Sequence, residues 1–166
     1  MMQVKFKNNP VKISGKELNV GDNAPVVELV GKDLSIVKIG GAQGKYQIIN
    51  VVPSLDTGVC ATQTRKFNQK AAALCNANVY VISLDLPFAQ GRFCSTEGIE
   101  NLSTLSDFRK KEFGQNYGVL LESGPLEGLL TRAVFVIDPN GKIVYKEICA
   151  EITNEPDYDA PLKAIL

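Results

Sequence analysis

The chain has 166 residues, is 45% hydrophobic and 22% charged, and sets 18 Lys and Arg against 18 Asp and Glu. That length suits a single domain over 1–166 with its own core; the balanced charge offers no field for a polyanion, which argues against nucleic acid, and no apolar run approaches the roughly 20 residues of a membrane span. With no His and no Trp, histidine catalysis and the commonest zinc ligand are excluded, so any chemistry rests on Cys, Asp, Glu, Lys, Arg or Tyr.

The opening MMQVKFKNNPVKISGK alternates apolar and polar residues. It lacks the apolar block and cleavage site of a signal peptide, so the cytoplasm is the expected location. Residues 2–7 and 10–13 read as a strand pair around Asn8 and Asn9, ended by Gly15. After a turn at Gly21 to Pro25, the β-branched runs 26–30 and 34–39 form a hairpin about Gly31, Lys32 and Asp33. The run 46–52 (YQIINVV) is apolar almost throughout, as a strand buried on both faces should be. Pro53 stops it, and SLDTGVC leads into a helix over 60–76. There Ala61, Phe67, Ala71 and Leu74 recur at helical spacing, and Thr57 or Gly58 serves as the N-cap.

The strand 79–84 (VYVISL), ended by Asp85 and Pro87, closes a right-handed β-α-β unit. Residues 87–95 (PFAQGRFCS) read as a short helix or loop and 102–105 as a short strand. Asp107 can cap a helix over 107–118, and a loop follows at 123–125. The runs 132–137 and 142–148 form an antiparallel hairpin turned by Asp138, Pro139, Asn140 and Gly141. Asp157 or Asp159 starts a closing helix within DYDAPLKAIL. This order predicts an α/β, thioredoxin-like fold: a central mixed sheet flanked by helices, with an N-terminal β-hairpin extension.

The four cysteines are Cys60, Cys75, Cys94 and Cys149. None forms a CxxC pair, which disfavours a zinc ribbon or a thioredoxin-type dithiol. In a reducing compartment, a disulfide among them is expected to be transient rather than structural. Cys60 stands out because the thiolate is the nucleophile, and a helix start, with its free N–H groups and positive dipole end, favours that charged form. A cysteine in a first helical turn is also a common buried hydrophobe. The spacing Pro53-x-x-x-Thr57-x-x-Cys60 at a strand-loop-helix junction argues for the reactive reading. Arg132, at the mouth of an apolar strand, is a permanent cation that can favour the thiolate, although such an arginine is often solvated. Cys94 lies one β-α-β unit further on, between Gly91 and Gly98. Cys75 and Cys149 sit in apolar helical and strand patterns and read as bystanders. Leu55, Phe88, Phe93 and Tyr145 are candidates for an apolar pocket or for core.

The blocks PSLDTGVCATQTRKFN, ISLDLPFAQGRFC and LLTRAVFVIDPNGKIVYKEICAEITNEPDYDAPL together resemble the peroxiredoxins, and within them the thiol peroxidase subfamily, of the atypical 2-Cys type. The resemblance implies a peroxidase for hydrogen peroxide and organic hydroperoxides. By motif it makes Cys60 the peroxidatic cysteine and Cys94 the resolving cysteine of the same chain, with Pro53, Thr57 and Arg132 as active-site partners. It further implies an intramolecular Cys60–Cys94 disulfide, recharging by thioredoxin or a similar dithiol reductant, a homodimer, and no metal, haem or flavin cofactor. The competing readings are a peroxide-sensing redox-relay protein using the same cysteines, and a scaffold whose thiols are inert.

Overall fold

The computed structural model describes residues 2–165. At its centre β5 (Tyr46–Val51) runs parallel to β6 (Ala77–Ser83), and β6 parallel to β7 (Ser103–Ser106). β9 (Ala133–Ile137) lies antiparallel to β5 and carries β10 (Ile143–Ile148) outside it. On the far edge the hairpin of β3 (Val27–Gly31) and β4 (Ile36–Ile39) joins β7, which completes a seven-stranded mixed sheet ordered β10-β9-β5-β6-β7-β3-β4. The expected α/β, thioredoxin-like arrangement is therefore present.

β5 and β9 are apolar along nearly their whole length because both faces of the sheet are covered. Alternate residues point to opposite faces. Ile49, Val51, Ile82, Phe135 and Ile137 pack with Phe113 and Tyr117 on one side. Ile48, Val79, Val134 and Val136 pack with Phe67 and Ile165 on the other. Phe67 belongs to α1 (Gly58–Ala71), whose N-cap is Thr57. That helix ends short of the expected 76, because β6 already begins at Ala77 and the chain must turn before it. Tight bonds from Ala73 N to Lys70 O and from Leu74 N to Ala71 O close the helix. Cys75, expected on an apolar helical face, is consequently outside the helix and exposed.

The stretch after β6 is a full helix, α2 (Pro87–Glu97), two residues longer than the expected helix or loop. Gly98 ends it at φ 66°, and its N–H bonds Cys94 O; this left-handed position is one that glycine adopts without a Cβ penalty. The predicted helix over 107–118 shrinks to α3 (Glu112–Asn116). Asp107 still caps it, but across an intervening turn: its two carboxyl oxygens accept from Phe113 N (3.0 Å) and Gly114 N (2.9 Å). The closing helix is the single turn α4 (Ala160–Lys163), introduced by Asp157, whose Oδ1 accepts from Asp159 N and Ala160 N. Leu166, at the end of the expected helix, lies outside the described residues.

The N-terminal hairpin pairs β1 (Gln3–Phe6) with β2 (Asn9–Ser14), turning at Lys7 and Asn8, one residue earlier than expected. β2 gains a partner that the sequence did not announce, β8 (Leu120–Leu121). This small sheet is tied to the chain just beyond β10. Lys5 N donates to Ala150 O at 2.7 Å, and Ile152 N donates to Lys5 O at 2.8 Å. The Glu151 carboxylate accepts from Asn8 N, Lys7 N, Thr153 N and the Thr153 hydroxyl. Led by the Asn8 N–H, these donors hold it below the usual carboxylate range, at about 2. Among the described residues, no helix is long and apolar enough to cross a membrane.

Candidate active site

The parallel strands β5 and β6 both end on one edge, where open α/β sheets commonly place their ligands. There Val52 N still bonds Ile82 O at 3.1 Å, and Pro53 is buried directly after it. The chain then turns through Ser54 to Asp56 and enters α1. The Thr57 hydroxyl donates to Ser54 O at 3.3 Å and accepts from Cys60 N at 3.4 Å. One side chain thus fixes the loop, caps the helix and sets the thiol in the first turn. Cys60 is fully buried, clustered with Val52, Leu55 and Val81, with Phe93 and Leu102 packed beside them.

Arg132, the residue before β9, reaches this thiol from the neighbouring strand. Its Nη2 donates to Cys60 Sγ at 3.2 Å, its Nη1 to Gln63 Oε1 at 2.8 Å and its Nε to Ile152 O at 2.7 Å. Arg132 is 2% exposed. Burying such a cation is costly unless it is paired and hydrogen-bonded. Yet the ion pairs found among the described residues are surface pairs of Arg65, Lys66 and Lys70, and none involves Arg132. Its three direct acceptors are a carbonyl, an amide and the Cys60 sulfur. Of the three, the sulfur is the nucleophilic atom, and the guanidinium is aimed directly at it.

Cys94 sits in α2, buried, with Sγ 3.6 Å from the Thr104 hydroxyl of β7. Its neighbour Phe93, rather than Cys94 itself, packs against the Cys60 cluster. Successive residues on a helix point about 100° apart, so Phe93 and Cys94 meet different neighbours. All four cysteines are free thiols. Of the candidate pocket residues, Leu55 and Phe93 stand at the site and help line a cleft of about 180 Å³ between the Cys60 loop and α2. Phe88 is 69% exposed, and Tyr145 packs on the α1 side of the sheet; neither belongs to the cleft. Cys149 is buried just beyond β10, and burial pushes its thiol up to about 11, with Glu147 adding to the rise and Arg132 opposing it. Among the described residues, no group of three His, Cys, Asp or Glu side chains is arranged to hold a metal ion.

The structure therefore brings Cys60, Thr57 and Arg132 into contact, buries Pro53 in the same loop, and places Cys94 in α2 against Thr104 rather than in the Cys60 cluster. Three participants went unnoticed in the sequence. Gln63 is the amide that steadies Arg132; a polar residue three positions after Cys60, on the same helical face, was its available signal. Asp85, ending an apolar strand before Pro87, binds the Cys60 loop through Ser54 and Leu55. The Ile152 carbonyl had no side-chain signal at all.

Fold and site together define a thioredoxin-fold protein that presents a cysteine at a helix start beneath a buried arginine. The Redoxin family model matches residues 19–162. A thiol peroxidase from Campylobacter jejuni is 62% identical over 157 residues, covering 95% of this chain and 89% of that protein. One from Oceanobacillus iheyensis is 51% identical, covering 98% of this chain and 97% of its own length. The crystal structure of a peroxiredoxin-like protein from Aquifex aeolicus superposes with a TM-score of 0.94 at 48% identity, covering 98% of this chain and 95% of that one. The chain belongs to the Redoxin family, in its thiol peroxidase branch.

Proposed function

We propose that this chain reduces hydrogen peroxide and organic hydroperoxides with Cys60 as the nucleophile and Cys94 as the resolving thiol. The observation that carries this reading is the 3.2 Å contact from the Arg132 guanidinium to Cys60 Sγ at the start of α1. The Cys60 thiolate attacks the terminal peroxide oxygen; the O–O bond breaks, and the departing alkoxide or hydroxide takes a proton and leaves as alcohol or water. Cys60 is left as sulfenic acid, the reversible first rung of thiol oxidation. Arg132 and Thr57 orient the peroxide and stabilise charge on the departing oxygen, as preorganised donors do, while Pro53, which lacks an N–H, walls the loop side. The Cys94 thiol then condenses with the sulfenic acid, forming the S–S bond and releasing water. A dithiol protein such as thioredoxin restores both thiols by exchange. The reading extends to a cytoplasmic homodimer.

The test is multiple-turnover peroxide consumption with a thioredoxin system, across hydrogen peroxide and alkyl hydroperoxides. Sustained consumption and a Cys60–Cys94 bridge in non-reducing peptide maps are expected. In Cys94→Ser the first turnover should survive, recycling should fail, and excess peroxide should drive Cys60 to sulfinic acid. Stoichiometric oxidation without turnover would instead mark a redox sensor. A Cys60–Cys75 or intersubunit Cys60–Cys60 bridge would remove Cys94 from the cycle.

A further inference from the structure

Asp85 joins the two elements that carry the two thiols. Its carboxyl group accepts from the Ser54 hydroxyl at 2.7 Å, from Leu55 N at 2.8 Å and from the Ser83 hydroxyl at 2.8 Å. The first two donors belong to the loop that leads to Cys60. Ser54 in turn offers its carbonyl to Thr57 N and to the Thr57 hydroxyl, both at 3.3 Å, and Thr57 receives the Cys60 N–H. Three hydrogen bonds thus connect Asp85 to the Cys60 N–H.

On its other side Asp85 anchors the root of α2. Its own carbonyl accepts from the Ser106 hydroxyl at 2.6 Å, and Ser83 passes the connection on to Gln90 within α2 at 3.0 Å. Gln90 Nε2 also donates to Leu105 O at 2.8 Å, but the helix start itself is bare: Leu86, the residue at its N-cap, makes no side-chain capping bond, and Pro87 follows at once. A helix start without a capping side chain leaves N–H groups unsatisfied and frays readily. Asp85 also lines the cleft between loop and helix, opposite Ala89, Arg92 and Phe93.

We propose that Asp85 is a positioning residue that latches the Cys60 loop to the root of the Cys94 helix, and that this latch opens for the two sulfurs to meet. The inference rests on the assignment of Cys60 and Cys94 given above. Latched, the loop keeps Thr57 on the Cys60 N–H and the thiol ready for peroxide. Unlatched, α2 is free to turn Cys94 towards the sulfenic acid. One carboxylate therefore speeds the first step and restrains the second.

The test separates the two steps in Asp85→Asn, which keeps the shape but presents an NH2 to donors that need an acceptor. Rapid quenching with a sulfenic-acid trap, read by mass spectrometry, follows loss of the Cys60 thiol and appearance of the bridge. Peroxide reduction should slow by about three- to tenfold, the range one lost hydrogen bond commands. Disulfide formation should accelerate by a similar factor, and Asp85→Asn should resist conversion to sulfinic acid better than the parent. A side chain that merely stabilised the fold would not move the two steps in opposite directions. Ser54→Ala removes one donor while leaving the carboxylate, so it should show the same opposed pattern more weakly, and it keeps the test open if Asp85→Asn fails to fold. A Cys60–Cys94 bridge with both rates unchanged, or with both slowed together, overturns the latch alone. Absence of that bridge in the parent protein overturns the cysteine assignment and the latch with it.

Discussion

Cys60 and Cys149 are both buried thiols, and both lie within the influence of Arg132, yet their surroundings differ in kind. Cys60 opens a helix, receives an N–H from the guanidinium at 3.2 Å, and has its own N–H fixed by Thr57. Cys149 follows a strand, where Glu147 works against ionisation and burial pushes the thiol up to about 11. Its link to Arg132 runs through the backbone, from Cys149 N to Arg132 O at 3.0 Å. Burial alone favours the neutral thiol in either place. What separates the two is whether a donor is aimed at the sulfur, so direction of the hydrogen bond, rather than distance from a cation, sets apart the thiol suited to chemistry.

Replacing each sulfur breaks or upholds that contrast most directly. Cys60→Ser should abolish peroxide turnover, whereas Cys149→Ser and Cys75→Ser should retain most of it; a comparable loss at Cys149 would collapse the distinction. Removing the donor while keeping part of its bulk comes next. Arg132→Met should lower kcat/KM by about a hundredfold or more, since a charge-assisted bond is lost at the reacting atom. Thiolate absorbance at neutral pH should fall with it, and an unchanged absorbance titration would mean that the guanidinium does not govern the sulfur. Thr57→Val keeps the shape but deletes the hydroxyl that caps α1, for an expected loss of roughly tenfold in the same parameter. Alkylation of the native protein should then mark the exposed Cys75 first, and Cys60 ahead of Cys149 although both are buried.

The smallest expected effect lies away from the thiols and concerns a buried carboxyl group for which desolvation outweighs the neighbouring Lys111 charge. Asp107 is buried, and desolvation raises its carboxyl to about 6 despite the N–H bonds from Gly114 and Phe113. A folded-state value above the unfolded one means that ionisation opposes folding. Its contribution is therefore fully present below about pH 4 and is lost as pH rises through about 6, on the order of 2 kcal/mol. Denaturant unfolding across that window should show the decline, and Asp107→Asn should flatten it while lowering stability throughout. A decline that persists in Asp107→Asn would assign the window to another group.

The difference between what the sequence announced and what it hid follows the range of the forces involved. The buried strands 46–52 and 79–84 were legible because burial on both faces favours nearly continuous apolar residues, broken here only by the buried polar side chains Gln47, Asn50 and Ser83. Thr57 and Cys60 were legible because capping is local, acting within one turn. α3 was misjudged because Asp107 caps it across a turn that includes Lys111 at φ 53°, a conformation that no local pattern prefers. β8 was invisible since its two residues are strands only by virtue of pairing with β2. Among the site residues, Arg132 gave a signal through its apolar strand, but what holds it did not: Gln63 sits 69 positions away, and the Ile152 carbonyl belongs to a backbone segment fixed by the N-terminal hairpin.

That last connection has a consequence for how the protein is made. Arg132 follows Cys60 by 72 positions, and its Ile152 acceptor follows by 20 more. At a synthesis rate of roughly 5–20 residues per second, the cysteine precedes its cation by several seconds and the anchored cation by longer still. The hairpin, although made first, meets β8 only after residue 120 and its second clasp only when residues 150–152 arrive. Until Arg132 and residues 150–152 have been made, Cys60 therefore lacks the anchored donor that contacts its sulfur in the folded protein.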